Sequence, residues 1–161
     1  MRLASEVALV VDHDDPEGDG AMVSISGRLS NGRIPGSVLE AAVQSDPGYL
    51  LFVTADTLVD EVLGIHLVDP GGELLDSGFI GAPYASGAFE ALRLEPPDVV
   101  NFRFIDDADW WIRVLPRPRP ALPFFSGARG AWRGGRWTRH FDIDRNPRRW
   151  SRRERMSWER R

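Results

Sequence analysis

Cysteine and lysine are both missing from this 161-residue chain. Without cysteine there are no disulfides, no thiolate catalysis and no cysteine-ligated zinc or iron–sulfur centre. Without lysine every basic side chain besides the three histidines is an arginine, which reads as the codon bias of a GC-rich, bacterial genome. No apolar run approaches the roughly 20 residues that span a bilayer. The run VALVV at 7–11 is too short for a secretory h-region and no small-residue cleavage site follows it. The sequence also lacks the nucleophile-elbow, phosphate-loop and dinucleotide-binding glycine signatures. Its histidines, His13, His66 and His140, lie far apart with no H-x-x-x-H pair. The expectation is a cytoplasmic, non-enzymatic protein with no cofactor, no metal and no membrane partner.

What is present is ordinary in amount and unusual in distribution. The hydrophobic fraction of 42% and charged fraction of 27% suit a globular chain able to bury one core. Charge, however, divides sharply. Residues 1–112 carry 20 carboxylates against 5 arginines, a net of −15, and residues 113–161 carry 15 arginines against 4 carboxylates, a net of +11. Such an acidic body and basic end attract each other or outside partners.

Short segments of period-two hydrophobicity, separated by turn signals, predict strands at 4–11, 21–27, 49–55, 61–68, 73–80, 88–95, 98–105 and 109–115. Asp69-Pro70-Gly71-Gly72 predicts a hairpin turn, because proline presets φ and glycine tolerates positive φ. A second hairpin turns near Asp106–Asp109, with the register across it open by one residue. SVLEAAVQS at 37–45 fits a short helix or a strand. The spacing predicts an antiparallel β-sandwich or small open barrel over residues 1–115. PRPRPALP at 116–123 predicts a polyproline connector that ends the sheet. Its Arg117-x-x-Pro120-x-x-Pro123 spacing matches an SH3 ligand but is read as a stiff spacer. Residues 124–161 then form an arginine/tryptophan-rich appendage packed on the domain. Within it Gly134-Gly135 predicts a two-residue hairpin turn, with Trp132, Trp137 and Phe141 on one face and Arg129, Arg133, Arg136 and His140 on the other. Ser151 and Glu154 fit a capping box for a short helix over 151–160.

Two binding readings follow from the charge. In the first, acidic loops engage a basic protein partner: Asp12, Asp14, Asp15, Glu17 and Asp19 in one loop, and Asp106, Asp107 and Asp109 in a second patch. Small acidic cysteine-free proteins of this kind include bacterial immunity proteins that neutralise a toxin or effector, an analogy of size and charge rather than of sequence. The first loop offers hard-cation ligands but lacks the EF-hand register, so it is read as a solvated connection. In the second reading, Arg129, Arg133, Arg136, Arg148, Arg149, Arg152 and Arg153 bind nucleic acid. The predicted separation of tryptophans from arginines counts against it, since one ligand would not reach both. A small enzyme with a histidine–carboxylate site is the third alternative.

Overall fold

The computed structural model describes residues 1–12, 14, 20–55, 61–105 and 108–145. Among them thirteen strands form three antiparallel sheets, with no helix. The central sheet has six strands, in the order β1 (Arg2–Leu3), β5 (Val38–Ser45), β6 (Gly48–Thr54), β7 (Leu63–Val68), β8 (Leu74–Ile80) and β12 (Ala131–Arg133). A four-stranded sheet runs β13 (Thr138–Arg145), β11 (Asp109–Pro120), β10 (Val99–Arg103), β9 (Glu90–Glu95). A three-stranded sheet runs β2 (Val7–Val11), β3 (Ala21–Ile25), β4 (Arg28–Ile34).

Alternation along β6 assigns the layers. Leu50 and Phe52 join Ile65, Leu67, Phe102, Trp110, Ile112 and Phe141 in one core, while Leu51 and Val53 join Val7, Val23, Ile25 and Ile34 in another. The central sheet is therefore covered on both faces, and β7 is buried along its whole length. This explains why LLFV and LGIHLV read as nearly continuous apolar runs. In the larger core Phe52 meets Phe102 edge-on at 5.1 Å, and buried Trp110 donates its indole N–H to the Phe104 carbonyl at 2.9 Å.

The turn at 69–72 is present as expected. Asp69 Oδ1 accepts the amides of Gly71 and Glu73, and Gly72 takes a φ of 88°. The β10–β11 register is also settled. Val100 lies opposite Ile112 and Phe102 opposite Trp110, so the two apolar faces meet. Segment 37–45 is a strand, paired with β6 from Val38 opposite Thr54 to Ser45 opposite Gly48.

The C-terminal third departs from expectation. The proline-rich stretch does not end the sheet, since β11 continues through Pro120 and pairs Arg119 with Arg139 and Pro120 with Thr138 of β13. Beyond Arg113, which lies opposite Val99, β10 no longer accompanies it. Prolines at 116, 118 and 120 occupy alternate positions, so their missing N–H groups face that open edge. Ala121, of the other parity, donates its amide to Trp137 at 2.8 Å.

No hairpin forms at Gly134-Gly135. The arm before it, β12, pairs with β8, and the arm after it, β13, pairs with β11. Neither glycine takes the positive φ of a primed turn. The predicted faces are likewise corrected. Phe141 and Arg133 point inward, Trp137 is exposed, and Trp132 stacks on Phe79 at 5.7 Å. The physical reason is a carboxylate. Asp76 on β8 receives Arg133 Nη2 at 2.8 and 2.7 Å on its two oxygens, and Arg133 Nη1 donates to the Phe141 carbonyl at 3.0 Å. The His140 and Ser77 amides complete the shell of Asp76 at 2.6 and 2.9 Å. The predicted helix at 151–160 lies outside the described residues.

Removing one member of a buried, hydrogen-bonded pair strands the other charge, a cost of roughly 3–5 kcal/mol. Asp76→Ala is therefore expected to lower unfolding free energy in urea by about that amount, and the double change Asp76→Leu/Arg133→Met to recover most of it. A loss under about 1 kcal/mol in Asp76→Ala, the range of an exposed pair, would contradict this role.

Candidate protein-binding site at the acidic end

Strand registers bring several acidic segments to one end of the stack. β6 finishes at Thr54 opposite Val38 and Leu63, and β10 finishes at Arg103 opposite Glu90 and Asp109. The β2–β3 connection leaves from Val11 opposite Ala21, which in turn faces Ile34. Two residues on, Gly36 has φ 102° and lies so close to Val53 and Thr54 that a Cβ would meet the Val53 side chain at 2.5 Å. Ser37 then donates its amide to the Thr54 carbonyl at 2.9 Å.

Between the central and four-stranded sheets this end opens into a cleft of about 720 Å³, walled by Glu40, Thr54, Glu61, Phe89, Glu90 and Arg103. Thr54 Oγ1 donates to Glu40 at 2.6 Å, and the Gly87 amide donates to Glu61 at 2.5 Å. Phe89 forms an apolar floor through contacts with Phe52 at 5.1 Å and Phe102 at 5.4 Å. Gly87 permits the close approach of this wall, because a Cβ there would lie 2.5 Å from the Ile105 amide nitrogen. Three glutamates thus meet one arginine, and that arginine is itself 3.8 Å from Asp109. The arrangement suits a cationic group carried on an apolar stem, as an arginine side chain is.

The loop carboxylates are placed only in part. Asp12 lies 3.6 Å from Arg33 and accepts the Asp14 amide at 3.1 Å, so its charge is partly matched within the chain. Asp109 is matched by Arg103. Asp15, Glu17, Asp19, Asp106 and Asp107 lie outside the described residues. Among the described residues no three histidines or carboxylates converge as metal ligands. Glu40, Glu61 and Glu90 escape sequence reading because they lie in three separate segments, far apart along the chain. The registers of β5, β6 and β7 on one side and of β9 and β10 on the other bring them together.

Of the arginines of the nucleic-acid reading, three are among the described residues. Arg133 is 3% exposed and committed to Asp76, which removes it as a phosphate ligand. Arg129 and Arg136 are exposed, and Arg148, Arg149, Arg152 and Arg153 lie outside the described residues. No protein-family model matches this chain, and neither the curated proteins nor the solved structures contain a significant match to it.

His66 is fully enclosed in the central sheet. Its Nδ1 lies 2.9 Å from Ser77 Oγ, and its ring meets Phe79 edge-on at 5.7 Å. Gly64 leaves it room, as a Cβ there would sit 2.6 Å from His66 Nε2. No substrate reaches a group so placed without the sheet opening. Burial pushes the imidazole pKa from 6.5 down to about 4, against an opposing interaction with the Pro35 backbone. The unfolded chain therefore takes up a proton below pH 6.5 that the folded chain refuses. This contribution to stability is complete above pH 6.5 and is lost as the pH falls toward 4, on the order of 3 kcal/mol in all. Urea unfolding of His66→Leu is expected to decline less than the unmodified chain between pH 7 and pH 4.5. Parallel declines would contradict the assignment.

Proposed function

We propose that the protein is a non-enzymatic binding module that covers a basic surface of a protein partner with its acidic end, most concretely an immunity-type protein that neutralises a toxin or effector. The observation that supports this reading is the meeting of Glu40, Glu61 and Glu90 in one cleft, at the end of the stack that also carries Asp12 and Asp109. Glu40 and Glu90, held on strands, are positioned more rigidly than carboxylates on loops alone, and a cleft in which three glutamates outnumber one arginine presents a net negative field to an approaching cation. Opposite charges accelerate encounter and exclude acidic competitors. The cleft then receives an arginine or lysine stem against Phe89. A cytoplasmic location goes with this reading. An enzymatic alternative loses its strand histidine, since His66 is shut between sheets.

A triple variant, Glu40→Gln/Glu61→Gln/Glu90→Gln, tests the reading against a partner recovered from native lysate. Association is expected to slow about tenfold or more and to lose most of its salt dependence, with dissociation changing less. Unchanged association kinetics would refute the acidic-end reading, as would a recovered partner that is itself acidic.

A further inference from the structure

The side of the molecule farthest along β11 from the acidic cleft has a different chemistry. Residues 116–141 contain six arginines and no carboxylate. Arg133 turns inward to Asp76, and Arg139 reaches Asp142 at 3.2 Å. Arg113, nearer the body, has Asp98 and Asp142 beside it. Arg117, Arg119 and Arg136 are exposed on this side, whereas exposed Arg129 adjoins Gly130, which lies beside Gly81 and Trp110 toward the cleft end. Arg119 lies directly opposite Arg139 across the β11–β13 ladder, a like-charge pairing that costs stability unless an anion lies near.

Large apolar side chains stand among these cations. Leu122 is 67% exposed, Phe124 70%, Phe125 68% and Trp137 71%. They belong to two adjacent stretches rather than to scattered sites. Ala121 donates its amide to the Trp137 carbonyl at 2.8 Å, Phe124 donates to Gly134 at 3.3 Å, and the Phe124 ring lies 3.1 Å from where a Gly135 Cβ would stand. Phe124 takes a φ of 64°, uncommon for a bulky residue, and the two neighbouring rings are both held outward.

We propose that this surface is a peripheral membrane contact. Leu122, Phe124, Phe125 and Trp137 enter the interfacial layer of a bilayer, and Arg117, Arg119 and Arg136 hold its anionic headgroups. Leucine decides between a bilayer and single-stranded nucleic acid. It gives a base no face to stack on, whereas an interface accepts leucine, phenylalanine and tryptophan alike while arginine keeps its head among the phosphates. The charge layout fixes the orientation. β11 begins at the acidic end and finishes at this surface, twelve residues or roughly 35 Å away, so the carboxylates of the cleft face away from an anionic membrane. One shallow insertion and one basic patch together give reversible attachment, which neither supplies alone.

Flotation of the full chain with vesicles of phosphatidylcholine, alone or mixed with phosphatidylserine, provides the test. Binding is expected to the mixed vesicles and to fall at high salt. Leu122→Ser/Phe124→Ser/Phe125→Ser is expected to weaken it at least tenfold. Arg117→Ser/Arg119→Ser is expected to weaken it about 25-fold, at roughly fivefold per arginine. All of these side chains are exposed, so both variants keep the fold, and an unchanged urea midpoint confirms it. Absence of flotation with anionic vesicles overturns the inference, as does equal flotation of the Leu122/Phe124/Phe125 variant. Retardation of a single-stranded oligonucleotide that both variants abolish, without flotation, also overturns it, in favour of a nucleic-acid surface.

Discussion

The architecture turns on the ion pair between Asp76 and Arg133. It lies between the central and four-stranded sheets, and the groups around it come from β8, β12 and β13. Taking two charges out of water is costly, and the cost is offset only where the remaining donors and acceptors are also engaged. Here both carboxylate oxygens accept two hydrogen bonds each, from Arg133 and from the His140 or Ser77 amide, while the buried Nε of Arg133 has no hydrogen-bond partner. The pair stabilises less than its Coulomb attraction suggests, yet it specifies strongly. With Arg133 on Asp76, β12 pairs with β8 and β13 with β11, so the chain on either side of Gly134-Gly135 runs in different sheets.

The layout of the basic third follows from this. With Arg133 drawn inward, Phe141 and Ile143 pack over Gly78, where a Cβ would strike the Ile143 side chain at 2.4 Å. Trp132 lies against Phe79 on the outer side, and Trp137 is left with little cover. Among the described residues, the acidic body and the basic end are joined by the specific pair of Asp76 and Arg133. What stays unneutralised separates in space, with glutamates at one end of β11 and arginines with aromatic side chains at the other. A chain of net charge −4 can in this way present two surfaces of opposite sign.

Much of the fold was legible because strand patterning is local. All eight predicted strands correspond to strands of the structure, and Asp69-Pro70-Gly71-Gly72 turns as its chemistry requires. β4 was missed because RLSNGRI does not alternate in hydrophobicity. Its buried positions are Ile34 and Ser30, and Ser30 Oγ accepts the Val23 amide while donating to the Gly32 carbonyl. The continuation of β11 is not legible from the rule that proline breaks a sheet, because alternate prolines on an open edge cost no ladder bond. The Gly-Gly hairpin was a sound local inference overruled by a carboxylate 57 residues away. The cleft was illegible for the same reason, since Glu40, Glu61 and Glu90 converge only through long-range register. Asp12 and Asp109 were visible as charges, but their partners Arg33 and Arg103 were not.

The central claim is that the arginine-rich C-terminal strands are part of one cooperative structure with the acidic body, joined through Asp76 and Arg133. Native-state hydrogen exchange measures this most directly. Amides of β12 and β13 are expected to exchange with an opening free energy within about 1 kcal/mol of the most protected amides of β7 and β8, all through global unfolding. Exchange of β12 and β13 through a separate opening several kcal/mol less costly, while β7 and β8 stay protected, would contradict it and return the basic third to the status of an appendage.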